Sequence, residues 1–252
     1  MEINPGKCSI LTFHRSKNPD IFMYILGENS IPRVTSTKDL GVIFSSDLSF
    51  DEHINSIVSK ANRLVGFISR STKGMNNPSA LKTLYCAMVR QCLEYASPIW
   101  TPYTVGGRTR LEAIQERFLR LVGVCQGYPY REVPTDVLAE ELKIRPLHMR
   151  RSVADVGLLY KLLRGHICCP ELLLEIDIRI PTITRSRDLF GRRFRGTTYD
   201  FHSPLARILR LGNRVARDVD FFADSYTHKE DNRSNPGGDG SEGPRPDPQA
   251  SY

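Results

Sequence analysis

An α+β fold dominated by helix is predicted, with short strands first, helices after them and a disordered tail, and three observations predict it. Over about the first 45 residues the apolar positions form short runs or alternate in twos, divided by Asn18-Pro19-Asp20 and Gly27-Glu28-Asn29. From Ser49 onward they recur every three or four residues over long stretches, which is the period of an amphipathic helix. Beyond Tyr226 no large apolar residue occurs before Tyr252, and a segment of Gly, Pro, Asp, Ser and Asn buries too little surface to offset the entropy of ordering it.

Each element follows from its residues. Lys7 to Phe13, Phe22 to Leu26, Ile31 to Thr35 and the alternating Leu40, Val42 and Phe44 predict four strands, the middle two joined as a hairpin, forming one edge of a sheet. Ser49 with Glu52 three residues on fits a capping box, and Ile54, Ile57, Val58, Ala61, Leu64, Val65 and Ile68 give the following helix one apolar stripe until Gly74. Asn77-Pro78 caps a second helix that carries Leu81, Leu84, Tyr85, Met88, Cys92 and Tyr95 up to Pro98, antiparallel to the first. A third, from about Gly107 to Val124, buries Leu111, Ile114, Phe118, Leu121 and Val122 and sets Arg110, Arg117 and Arg120 on its polar side.

A short helix is predicted from Thr135 to Leu142 and a longer one from Pro146 to Gly165; the stretch from Arg179 to Tyr199 has no clear period. Ser203-Pro204 starts the last helix, with Leu205, Ile208, Leu209, Gly212, Val215, Ala216 and Val219 on one side. Arg207, Arg210, Arg214 and Arg217 form a stripe nearly opposite. Phe221 and Phe222 are expected to anchor the end of that helix. The domains expected are 1–47 for the strands, 48–126 for a helical bundle, 127–226 for an arginine-rich helical region and 227–252 for the tail.

Charge narrows the function classes. The net charge is +7, yet residues 179 to 217 alone hold ten arginines against Asp188 and Asp200, a local balance of +8. Guanidinium stays charged and matches phosphate in a two-pronged geometry, so this segment predicts a polyanionic partner. The N-terminus lacks an apolar signal core and no run approaches the about 20 apolar residues of a membrane span, which predicts a soluble intracellular protein. Six cysteines without a CxxC pair are expected to be reduced and mostly buried. His166, Cys168 and Cys169 make a poor metal set, because adjacent cysteines chelate one zinc badly and no fourth ligand is spaced to help. Trp100, between Pro98 and Pro102, is expected to anchor a loop.

In order along the chain, Asn4-Pro5-Gly6-Lys7-Cys8, Asp39-Leu40-Gly41-Val42, Leu48-Ser49-Phe50 and His53-Ile54 are followed by Leu84-Tyr85, Leu93-Glu94-Tyr95-Ala96 and Trp100. Then come Ile114-Gln115, Arg117-Phe118-Leu119-Arg120, Leu147 with Arg150-Arg151, Ser203-Pro204, Asn213 and Asp220-Phe221-Phe222. This ordered set, covering about residues 3 to 222, resembles the end of the palm, the thumb and the downstream helical region of a jockey-like non-LTR retrotransposon reverse transcriptase. The resemblance implies a remnant of palm strands leading into a helical thumb, and a nucleotidyltransferase family that copies RNA into DNA with magnesium. It also implies that Lys7 belongs to a strand near the nucleotide site and that His53 marks the thumb entry, where a local bond near the helix cap is the favoured role.

Nucleotide addition needs carboxylates that clamp two metal ions, and no Asp-Asp pair occurs in this sequence. Phe222-Ala223-Asp224-Ser225 is similar to the family's catalytic Phe-Ala-Asp-Asp but lacks the second carboxylate and follows a helix. The expectation is therefore a truncated, non-catalytic portion of an RNA-directed DNA polymerase, inactive alone and without a cofactor of its own. Its expected partners are RNA or an RNA/DNA duplex, through phosphate contacts of Arg192, Arg193, Arg195, Arg207, Arg210, Arg214 and Arg217, and the upstream polymerase fragment. Nothing points to a membrane or a small-molecule substrate. The alternatives are a domesticated stand-alone RNA-binding module and the downstream half of an active polymerase encoded upstream.

Overall fold

The computed structural model describes residues 4–14, 16, 19–179, 188–191 and 197–222. Short strands give way to a predominantly helical body, as the periodicities predict. The expected sheet edge is instead three separate two-stranded ribbons. After a 3-10 turn at Pro5–Lys7, β1 (Ile10–Leu11) pairs in parallel with β4 (Arg33–Val34), and β2 (Ile25–Leu26) with β3 (Asn29–Ser30) in an antiparallel hairpin. Gly27 closes that hairpin at φ +63°, where a side chain would be strained. β5 (Ser36–Asp39) pairs antiparallel with β6 (Val42–Ser45), so Leu40 stands in the turn and not in the strand. Strands of two to four residues offer too few ladder bonds to assemble further. Ile21 to Ile25 lie 52 to 81% exposed, an apolar run that no described element covers.

The helical bundle follows the predicted stripes. α1 (Asp51–Ser71) buries His53, Ile54, Ala61, Val65 and Ile68, but its cap is Phe50 and no capping box forms. Ser49 lies one residue too early and its Oγ accepts from the Asp51 N–H at 3.2 Å. The Asn77 side chain accepts from Ala80 N–H to start α2 (Pro78–Leu84), which continues through a π turn (Tyr85–Arg90) into α3 (Gln91–Glu94). Ala96, at φ 50°, ends the run earlier than predicted and starts the single-turn α4 (Ser97–Trp100). α5 (Val105–Cys125), capped by Thr104, packs beside α1. The core between these helices holds Leu81, Tyr85, Leu93, Leu111 and Phe118.

α6 (Thr135–Glu141) and α7 (Leu147–Leu163) lie where predicted. Pro146 precedes α7 and supplies no side-chain cap, so the carboxylate of Glu112 on α5 accepts from the Leu147 and His148 N–H groups at 3.0 and 2.7 Å. A negative group at a helix start offsets its unpaired donors and its dipole, and here it also ties α7 to the bundle.

A second, smaller core forms where α10 (Pro204–Val215) and the ribbon of β7 (Asp177–Ile178) and β8 (Phe190–Gly191) meet the far end of α7, with α8 (Pro170–Leu174) leading into the ribbon and α9 (Thr198–His202) packed on α10. Leu159, Phe190, Ile208, Leu209 and Phe221 fill it. A Cβ at Gly212 would fall 2.5 Å from Leu159 Cδ2 and 3.0 Å from the Phe190 ring, so glycine lets α10 approach both. The Asn213 amide clasps β8, accepting from Phe190 N–H at 2.8 Å and donating to its carbonyl at 2.9 Å. The end of α10 is anchored by Phe221 alone, edge-on to Phe190; Phe222 is half exposed and contributes its carbonyl to Arg164. All six cysteines are free thiols, but none is fully buried, and Cys168 is exposed.

Candidate nucleic-acid interface

The arginine stripe of α10 divides in the fold. Arg207 turns inward: its Nε donates to Asp155 Oδ2 at 2.9 Å, and its Nη2 to Asp155 Oδ1 at 3.3 Å and to the Pro98 carbonyl at 2.6 Å. Asp155, on α7, is 1% exposed. Arg210 lies over the Phe201 ring at 3.8 Å and donates to the Phe201 carbonyl. Arg214 and Arg217 are exposed and form no ion pair among the described residues. The sequence puts all four on one polar face of a helix running through Val219, but α10 ends at Val215 and Arg217 stands in the turn after it. What separates them is α7, whose carboxylate faces the first of the four and is not visible from α10 alone. Arg192, Arg193 and Arg195 lie outside the described residues, as do positions 223–225 of the aspartate-like motif.

A second basic surface spans α1 and α5. Arg110 donates to Asn55 and pairs with Asp51 at 3.3 Å, and Arg117 donates to Asn62 at 2.7 Å. Both partners advance by seven residues between the two bonds, so the helices run in parallel and the arginines form two rungs across their seam. Exposed Lys60, Arg63 and Arg70 continue the charge along α1. The signal was available in the sequence as two matched seven-residue spacings, but only the pairing of α1 with α5 gives it meaning.

Buried polar groups tie these surfaces to the core. Arg151, 1% exposed, reaches Glu112 at 3.3 Å through Nη2, while its Nε and Nη1 have no hydrogen-bond partner among the described residues. Burial pulls its guanidinium below the ordinary value against the opposing pull of Glu112. Burial likewise pushes the Asp155 carboxyl up, opposed by Arg207. Trp100 is fully buried and donates Nε1–H to the Tyr95 carbonyl at 2.7 Å, a loop anchor as expected.

Lys7 is exposed at the end of the 3-10 turn, not in a strand. His53 is buried: Nδ1 accepts from the Ile43 N–H at 3.3 Å, which leaves the proton on Nε2. That second nitrogen has no hydrogen-bond acceptor among the described residues, and the ring meets Trp100 in a T-shaped contact at 5.2 Å. Burial, then the Lys38 charge, hold its pKa below 6.5. A depressed histidine pKa gives stability that is complete above 6.5 and lost as pH falls through the folded value. The thermal midpoint is therefore expected to drop on acidification below 6.5. His53→Asn, which keeps an acceptor for Ile43, should flatten that drop when both are followed by circular dichroism; an unchanged slope would rule out His53 as its source.

Among the described residues no group of three or more His, Cys, Asp or Glu is placed to hold a metal ion. His166 stacks on Tyr160 at 6.3 Å, and Cys169 Sγ lies 3.7 Å from Glu171. The described side chains thus do not supply the neighbouring carboxylates that paired magnesium ions need. No helix among the described residues is long and apolar enough to cross a membrane. No family model, no curated protein and no solved structure matches the chain.

Proposed function

We propose that this chain is a non-catalytic, thumb-like part of an RNA-directed DNA polymerase of the non-LTR retrotransposon type, and that it grips the phosphates of RNA or of an RNA/DNA duplex. The observation that carries the binding reading is the pair Arg214 and Arg217, exposed at the end of α10 with no carboxylate partner among the described residues. Arg63, Arg70, Arg110 and Arg117 on α1 and α5 add to it. The polymerase reading rests on the ordered segments from Asn4 to Phe222 that resemble the family. The chemistry is assigned to an upstream palm and not to this chain, which has no adjacent aspartates. The exposed run Ile21 to Ile25 is the surface such a palm would cover.

Phosphate contacts are sequence-independent and salt-sensitive, because each releases condensed counterions. Arg214→Ala with Arg217→Ala is expected to weaken binding to an RNA/DNA duplex and to lower the slope of log affinity against log salt by about 2. Fluorescence anisotropy at several salt concentrations measures both; an unaltered slope removes these two arginines from the interface. Arg207→Met is expected to act on stability instead, since its guanidinium faces Asp155.

A further inference from the structure

We infer that the cleft between the entry of α1, the α4–α5 loop and the start of α10 binds one unpaired nucleotide with an amino-bearing base. The inference deepens the reading above and rests on it for the source of that nucleotide, an unpaired position in bound RNA.

The cleft measures about 580 Å³, within the range of small-ligand sites and ample for a nucleotide unit. Its wall carries aromatic rings: Trp100 and Phe50 behind, and Tyr103 stacked on His202 at 4.6 Å and 20°. Tyr103 is 57% exposed although it is part of this stack, so a further ring can lie against it. Burial, then Arg210 and Arg108, hold His202 below its usual 6.5, which keeps its ring uncharged and suited to stacking at neutral pH.

The two ends of the cleft differ in charge. Asp47 and Asp51 line one side. Asp47 is held ionised by hydrogen bonds from the Ser45 hydroxyl and the Ser49 N–H, which both reach Oδ1. Arg207 lines the other side with its charge largely met by Asp155, so the positive field there comes mainly from Arg108 and Arg210, which are near enough to act on His202. A molecule that fits this division is flat, carries N–H donors on one edge and an anion on the other. An amino-bearing base with its phosphate has that form, whereas uracil presents carbonyl oxygens where the amino group would be.

Trp100 is the only tryptophan of the chain and lines the cleft, so its emission reports occupancy. Cytidine 5′-monophosphate is expected to quench it saturably, uridine 5′-monophosphate to bind more weakly, and ribose 5-phosphate to leave it unchanged. Tyr103→Ala should weaken the cytidine nucleotide roughly tenfold, with Tyr103→Phe restoring it. Asp47→Asn should erase the difference between the two nucleotides. Equal quenching by ribose 5-phosphate, no saturation by either nucleotide, or a Tyr103→Ala titration superimposable on the parent overturns the proposal.

With RNA, a hairpin carrying one bulged cytidine should bind more tightly than its fully paired counterpart, and Tyr103→Ala should remove that advantage while leaving the paired hairpin unaffected. Equal affinity of the parent protein for both hairpins overturns the assignment to RNA. If neither hairpin binds, the phosphate-gripping reading fails, and the mononucleotide titration still decides whether the cleft takes a nucleotide.

Discussion

Asp155→Ala is expected to destabilise the protein by about 3–5 kcal/mol, because it leaves buried positive charge without its counterion. The carboxylate receives two bonds from Arg207 and sits near Arg151, which already has two buried N–H groups without an acceptor among the described residues. Burial holds the Asp155 carboxyl above 3.8 in spite of Arg207. A raised carboxyl pKa means that its own titration contributes stability below 3.8, lost as pH rises through the folded value. The ion pair is therefore worth little against a well-packed apolar pair and much against removal of one member. Urea denaturation should place Asp155→Ala far below the parent and Asp155→Leu with Arg207→Met much nearer to it. If the single variant unfolds at the parent's midpoint, the carboxylate does not hold α7 to α10.

Phe118→Ala is expected to cost a similar amount, about 3–5 kcal/mol, for a different reason. Phe118 is fully buried on α5 and stacks on Tyr85 at 4.3 Å and 15°, where α5 meets the π turn. Its loss opens a cavity that three helices cannot close by small shifts. Tyr85 Oη donates to Gln115 Oε1 at 3.0 Å inside the same core, and burial pushes the phenol well above its ordinary range. Tyr85→Phe, which removes only that hydroxyl, should cost about 1–2 kcal/mol, mostly by stranding the Gln115 acceptor. Chemical denaturation of both variants separates the packing contribution from the hydrogen bond; a Phe118→Ala loss no larger than that of Tyr85→Phe would show that the stack is not central.

Helix existence was legible where burial repeats along one element. The stripe of α1, the Asn77-Pro78 start of α2, the span of α7 and the Ser203 cap of α10 all depend on neighbours within a few residues. Boundaries set by tertiary contact were not. The break at Ala96 depends on burying Trp100, whose indole bonds back to Tyr95, and the ribbon from Asp177 to Gly191 depends on Asn213 of α10. The strand expected to include Leu40 missed the turn, because a Leu-Gly pair at positive φ has no mark in hydrophobic alternation.

By itself the sequence determined the order of elements, the amphipathic stripes and the concentration of arginine between residues 179 and 217, since these are properties of local spacing and charge. Only the tertiary structure decided which of the four arginines from 207 to 217 face solvent. A carboxylate on α7 draws Arg207 inward, an aromatic ring holds Arg210, and Arg214 and Arg217 stand outside both. The physical reason is that a guanidinium goes to the nearest desolvated partner, and that partner lies 52 residues away along the chain.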